Sequence, residues 1–543
     1  MTEFLGRRVG GTALAALLAL APMHAALAAG EQQNLEELRN TVVNLLQALV
    51  EQGVMTRAKA EDLVKQAQAK AAESAAATAR ADAGAVRVPY VPQIVKDEIS
   101  KQVSEQVKPA VVADVIDTAK TEGWGVPGAL PDWIGHIKLY GDVTVRGQAD
   151  LYAADNAQYY FIDFQSVNQA GGLSKAGLNE FLNVSEDRYR LRLRARFGAE
   201  AQLGSDLSAG IRLATGSLTD PGSASQTLGT TSGRYTVGVD QAYVRWDPRS
   251  STDFRYATAV GGRIPNPWFA PTELIYARDL TLEGVAFTGR YGLGDGSAGQ
   301  PHAYLTLGAL PVQEVPLANP NSKWLLGAQL GSQFEFGGRQ RLRLALAYYN
   351  FEHVSGVRNE PDSTLLNYTA PQFIRYGNSV FDIANSTTDP SVNLFALATR
   401  FRLVNIAGSY DVPVGRYMLT VTGDVVRNVG ATESDIFNRT GSMLPARNKG
   451  FVGEFVFGDQ ILDTLGTWRA KLGYRYVQAD AVLDSWTDAD FHGGGTNARG
   501  YYVWTEFGLA RGLSTRLRYL SGNEVDGPHY GYDIIQLDLL SNF

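Results

Sequence analysis

From Trp133 to Phe543 the side chains alternate between apolar and polar with a period of two. The alternation is sharpest in Asp187 to Phe197, DRYRLRLRARF. There Arg188, Arg190, Arg192, Arg194 and Arg196 take every second place, and Tyr189, Leu191, Leu193, Ala195 and Phe197 fill the others. Successive side chains of a strand point to opposite faces, so this segment is a strand with one guanidinium face and one apolar face. A helix would wind the same residues round its whole circumference and bury arginines against any core. The two faces therefore need two different solvents.

Alternating segments begin near residues 136, 187, 207, 235, 254, 280, 303, 323, 340, 393, 415, 451, 467, 500, 514 and 533. Typical members are LRLALAYYNF, RYMLTVTGDVV and WRAKLGYRYV. Their connections alternate in length. Those at 204–206, 247–253, 337–339, 411–415 and 510–512 are short, whereas those at 153–186, 218–234, 264–279, 355–390, 428–449 and 481–499 are long. Short turns on one side and long loops on the other are the pattern of an outer-membrane barrel, whose strand number is even. The expectation is an all-β transmembrane barrel of about 16 antiparallel strands over 133–543, apolar outside and wet inside. Trp246, Phe254, Phe334, Phe336 and Trp468 gather near the short-turn ends, where an interfacial aromatic girdle is expected.

The residues ahead of the barrel have other periods. Arg7 and Arg8 precede a short apolar run and the small residues Ala26 and Ala28, which predicts a secretory signal over 1–28. A 3.6-residue period predicts a helical hairpin within 29–82. Prolines in VPYVP predict an extended linker, followed by an amphipathic helix with valines and Ile99 four residues apart, within 83–132. That helix reads either as a trimerising stalk or partner contact, or as a helix packed on its own domain. The exported chain is expected to place this α-helical segment in the periplasm.

Chemistry is sparse. The chain has no cysteine and six histidines, none paired at metal-ligand spacing, so neither a zinc site nor a disulfide framework is expected. No nucleophile elbow, zinc-protease helix or phosphate loop occurs, and GLGDG at 292–296 is a glycine-rich turn with no helix after it. No enzymatic activity or cofactor is expected. With a formal net charge of −7, nucleic acid is not an expected partner.

GWGVPGALPDWIGHIKLYGDVTVRGQ, VRVPYVPQIVKDEI and GGRIPNPWFAPTELIYARDLTLEGVAF resemble the putative porin family of Gram-negative bacteria, and QALVEQGVMTRAKAEDLV resembles its helical leader. The resemblance implies a bacterial outer-membrane barrel with a periplasmic helical N-terminus. It also implies that the tail carrying Leu537, Leu539 and Phe543 is read by the barrel-assembly machinery, although Ser541 stands where an aromatic is more usual.

Strand parity gives the expected pore lining: Arg188, Arg190, Arg192, Arg194, Arg196, Arg212, Arg245, Arg341, Arg343, Arg400 and Arg402. Inward basic groups outnumber inward acids by roughly two to one, which is how pores favour anions. The proline-rich connection at 265–279 sits where diffusion porins fold a loop inward. Glu273, Asp279 and Glu283 are its candidate constriction acids, with a plain outer loop as the other reading. The expected function is a passive channel for small hydrophilic solutes, anion-preferring, in contact with outer-membrane lipid and compatible with a homotrimer. The alternative is a structural or adhesive barrel whose loops act as surface ligands.

Overall fold

The period-two segments become sixteen long strands. They are β1 (Ile137–Tyr152), β2 (Arg188–Gln202), β3 (Leu207–Thr215), β4 (Val237–Trp246), β5 (Ala257–Pro265) and β6 (Thr281–Gly292). Next come β7 (His302–Gln313), β8 (Lys323–Phe336), β9 (Gln340–Glu352), β10 (Phe401–Val414) and β11 (Tyr417–Asn428). The series ends with β12 (Lys449–Gly458), β13 (Trp468–Val477), β14 (Ala498–Ala510), β15 (Leu513–Glu524) and β16 (Gly531–Asn542). The structure is a computed structural model and describes residues 65–66, 69, 135–316, 321–337 and 339–543. The chain divides into two compact units, Met1–Asp114 and Val115–Phe543. In the first unit only Lys65, Gln66 and Ala69 are described, each helical. The expected signal, helical hairpin, linker and amphipathic helix otherwise lie outside the described residues.

Each strand pairs antiparallel with the next, and β1 pairs with both β2 and β16, Gly147 standing opposite Leu191 on one side and Leu537 on the other. The sheet is therefore a closed 16-stranded antiparallel barrel, with no edge left unpaired. Phe543 completes the seam, its backbone N–H and C=O exchanging hydrogen bonds with Gly141. Opposite each other on β5 and β6, Gly262 and Gly284 both take positive φ, 121° and 118°. At either, a Cβ would collide with the carbonyl of the next strand, Ala242 or Ala309. These two bends shape the wall where the connection 266–280 leaves it.

Exposure is inverted relative to a water-soluble protein. Leu191 is 59% exposed, Leu330 58%, Ile406 59% and Leu537 58%, while Gln329, Gln536 and Asp538 on the inner face are fully covered. Apolar side chains face outward and polar ones inward, as lipid outside and water inside require. Among the expected girdle residues Trp246 and Phe336 do face outward. Phe254 does not: it is buried and its ring lies 5.9 Å from that of His302. It sits in the connection 247–256, where parity no longer fixes a direction.

One strand begins later than its alternation suggests. The segment near 393 first forms a small hairpin, Phe395–Leu397 against Val380–Asp382, inside the long connection 353–400. The barrel strand β10 starts only at Phe401.

The inner wall is not uniformly polar. Near the long-connection end, strands β8 to β13 turn Leu325, Tyr349, Phe351, Leu403, Val452 and Val477 inward. Trp268, Leu274, Ile275 and Tyr276 of the connection 266–280 pack on them, with Val482 and Leu483 of the connection 478–497. An apolar inner wall exposed to water is unfavourable at about 25 cal/mol per Å², so covering it is a driving force for both loops to fold into the barrel.

Candidate functional site: the constriction

The loop 266–280 crosses the lumen and is pinned along its length. Near its start Phe269 exchanges hydrogen bonds with the Gln329 side chain, at 2.7 and 3.0 Å. In its middle Thr272 Oγ1 donates to Asp424 at 2.6 Å, and the Glu273 carbonyl accepts from Arg475 at 3.0 Å and Thr487 at 3.1 Å. Near its end Ala277 N–H donates to the Trp486 carbonyl at 2.6 Å. Asp279, close to the return into β6, then meets Arg194 and Arg196 of β2, both at 3.1 Å.

The opposite wall is the arginine stripe, and each guanidinium from Arg190 to Arg196 has a carboxylate. Arg190 pairs with Asp150 at 2.5 Å and Arg192 with Asp490 at 3.5 Å. Arg194 and Arg196 share Asp142, at 3.2 and 2.7 Å, in addition to Asp279. Asp490 also receives Arg146 of β1 and Arg518 of β15, both at 2.9 Å. Glu506 of β14 takes Arg469 at 3.2 Å and Arg516 at 2.8 Å. Between this wall and the loops 266–280 and 478–497 lies a polar cavity of about 230 Å³. Arg194 and Arg516 line it from the wall, Asp279 and Asp490 from the loops. A larger chamber of about 460 Å³ lies beside it, lined in part by Asp279, Arg263, Glu283 and Lys323.

The loop acids feel opposite environments. Burial works to raise Asp279, but Arg194 and Arg196 outweigh it and hold the carboxyl below its usual range. Asp490 follows the same logic more strongly: burial opposes, and Arg146, Arg518 and Arg192 together keep it well below that range. Burial and the neighbouring Asp488 push Glu273 up. Ionised acids thus stand where the arginines are, and the acid facing another acid is the one that resists charging.

The family model described as Putative porin matches residues 39–543. The chain belongs to this porin family. No curated protein sequence matches it. Solved structures similar to this porin include the outer membrane channel DcaP of Acinetobacter baumannii, at 11% identity and a TM-score of 0.38, over 75% of this chain and 97% of that one. Another is OprB of Pseudomonas putida, at 10% identity and 0.42, over 77% and 97%. A third is OmpF of Salmonella typhi, at 13% and 0.38, over 75% and 97%. Family and barrel together are those of an outer-membrane channel.

The porin brings some of the sequence-derived residues together and separates others. Arg192 and Arg194 line the constriction cavity with Glu273 and Asp279, and Arg196 reaches the same Asp279. Arg188 is exposed at the start of β2, opposite Asp150. Arg212 pairs with Asp240 at 2.5 Å, and Arg245 reaches Glu200 at 3.7 Å with its guanidinium over Tyr243. Arg341 pairs with Glu335 at 3.2 Å, and Arg343 reaches Asp411 at 3.5 Å over the Phe269 ring. Glu283 is a strand residue of β6 paired with Arg263, outside the constriction loop.

Two of the expected pore residues stand elsewhere. Arg400 precedes β10 and pairs with Asp435 at 3.3 Å. Arg402 stands opposite Asn350, on the face of β10 away from the buried Phe401 and Leu403. It points outward because Phe401 and Leu403 on either side of it turn inward onto the apolar part of the inner wall, where parity read from polarity inverts. Leu537 and Leu539 face outward as well, 58% and 46% exposed.

The decisive residues that sequence reasoning missed are Asp488, Asp490 and Arg278. All three are in loops, where no period tells inward from outward, and the acid-rich run TDAD at 487–490 was the available signal.

Proposed function

We propose that this porin passes small hydrophilic solutes by diffusion and prefers anions. The observation that supports it is the guanidinium wall of β1, β2, β13 and β15 facing the loop 266–280 across the constriction cavity. A solute entering the cavity exchanges hydration for charge-assisted hydrogen bonds, and guanidinium groups present several donors each to a carboxylate or phosphate. In this reading the long connections lie on the outer side, the helical leader in the periplasm, and the tail ending in Phe543 is read by the assembly machinery.

The deciding measurement is conductance in planar bilayers under a salt gradient. Discrete open-channel steps with a zero-current potential on the anion side are the expected result. A second reading, a structural barrel, draws on the inward packing of loops 266–280 and 478–497. It expects no open-channel steps at all.

A further inference from the structure

On strands β10 to β14, four basic side chains face away from the pore. Arg402 on β10, Arg427 on β11, Lys449 on β12 and Arg499 on β14 are all exposed. Each lies on the outward face, alternating with buried inward neighbours: Leu403, Val426, Gly450 and Ala498. Each is also within two residues of the strand end that carries a long connection. Arg427 stands directly opposite Lys449, and Arg499 opposite Tyr476. Adjacent strands are about 4.8 Å apart, so the four cations occupy roughly 20 Å of one side of the wall. None of the four makes an ion pair among the described residues, although nearly every inward arginine does.

Their depth is set by what lies beneath them. Phe451 is two residues inside Lys449 on the same face, and its ring packs on Tyr476 at 5.5 Å and Tyr474 at 5.9 Å. Tyr501 is two residues inside Arg499 and meets Tyr519 at 6.1 Å. Outward aromatics mark the level where acyl chains give way to headgroups. Two strand residues span about 6–7 Å, which puts the cations at headgroup height. Across the barrel, at the long-connection ends of β2 and β4, the outward residues Tyr189 and Val237 carry no charge.

We infer that this patch is a binding site for the phosphates of an anionic lipid in the leaflet that faces the long connections. An unpaired cation beside a membrane gains most from a phosphate, and Arg427 beside Lys449 offers two converging donors to one group. The aromatic layer below supplies apolar contact for the attached acyl chains. The site faces lipid and not the lumen, so it stands apart from the proposed conduction.

The test uses the full-length porin in neutral detergent, with native mass spectrometry reading retained lipid. The probes are diphosphoryl lipid A, phosphatidylcholine and sodium phosphate. Wild type should retain lipid A in preference to phosphatidylcholine, and free phosphate at matched concentration should not displace it. The variant Arg402→Gln, Arg427→Gln, Lys449→Gln, Arg499→Gln should lose lipid A affinity by at least tenfold, at roughly fivefold per strongly engaged cation. Its conductance and ion selectivity should match wild type, since none of the four residues lines the lumen. A gel-mobility difference between unboiled and boiled samples verifies folding, and the pair Arg427→Gln, Lys449→Gln serves if the fourfold variant does not fold. Undiminished lipid A retention in the folded variants overturns the site. So does displacement by free phosphate alone, or a changed oligomeric state with unchanged lipid binding, which would make the patch a contact between copies.

Discussion

Asp279 and Arg194 meet at 3.1 Å, a loop carboxylate at the entry to β6 against a wall guanidinium of β2, four strands away. The pair ties the end of the loop 266–280 to the arginine stripe, and Arg196 doubles the tie at the same distance. One contact therefore sets both the position of the constriction and its charge.

Asp279→Asn should weaken that tie and remove one negative charge from the cavity. Asp142 still holds Arg194 and Arg196, so the stripe keeps its place. A lost charge-assisted hydrogen bond costs about 1.5–3 kcal/mol, enough to loosen the loop without unfolding the barrel. The expected outcome in a salt gradient is a zero-current potential shifted toward anions, with noisier open-channel current. Because Asp279 is held below its usual range, its pairing is fully present above the unfolded carboxyl value of about 3.9 and is lost only as pH falls through the lower folded value. The contribution of Asp279 to selectivity should thus be flat between pH 7 and 5, so that in Glu273→Gln, which removes the raised acid of the same cavity, selectivity should not titrate there. A titration of selectivity near neutrality would point to a different controlling group.

The outward face of β2 can be tested by charge. Leu191 is 59% exposed and stands opposite Gly147 on the lipid side. Leu191→Arg should cost about 2–4 kcal/mol if it lies near mid-membrane. Arg192→Gln, one residue away on the lumen side, should cost less, because Asp490 keeps Arg146 and Arg518. Urea unfolding in detergent or lipid measures both; a reversed order would exchange the two faces.

Much of this barrel was legible because period two is a local property. The starts of β3, β8 and β9, at Leu207, Lys323 and Gln340, fall on the residues where alternation begins. Alternation fails where a loop imitates it. NLFALATRFRLV reads as one strand from 393, yet Phe395–Leu397 belongs to a loop hairpin. Arg402 falls on the outer face for a different reason: its neighbours Phe401 and Leu403 turn inward onto an apolar stretch of the inner wall, so the polar residue is the outward one. The constriction was half legible: Arg192, Arg194 and Asp279 came from parity and loop position, but Asp490 did not. Its role depends on Arg146, Arg192 and Arg518 converging from three strands, and no one-dimensional pattern encodes that convergence.

The loop 478–497 should loosen in alkali. Asp484 is buried there, and burial pushes its carboxyl up to about 8 against the weaker pull of Arg375. A carboxyl raised in the fold gives stability that is full below its unfolded value and declines as pH rises through the folded one. Protease protection of the loop should therefore fall as pH rises through about 8. Asp484→Asn, which cannot ionise, should keep the loop protected at pH 9. Equal cleavage of both proteins at pH 9 would mean that other groups open the loop.

The arginine stripe itself gives the most direct test of selectivity. Arg190, Arg192 and Arg194 each keep a carboxylate neighbour, so the field in the passage is what remains after that pairing. Guanidinium stays protonated at any usable pH, and the field is screened over about 10 Å at 0.1 M salt but about 3 Å at 1 M. Anion preference should be clear in dilute salt and fade in concentrated salt. Replacing the three arginines together by glutamine leaves Asp150, Asp279 and Asp490 with fewer counter-charges, so the zero-current potential should move toward cations. Asp490 should then depend on Arg146 and Arg518, and Asp279 on Arg196, which is enough to keep both loops in place. Cation preference already present in wild type at low salt would show that the loop acids govern the passage and that the stripe serves as their structural counter-charge.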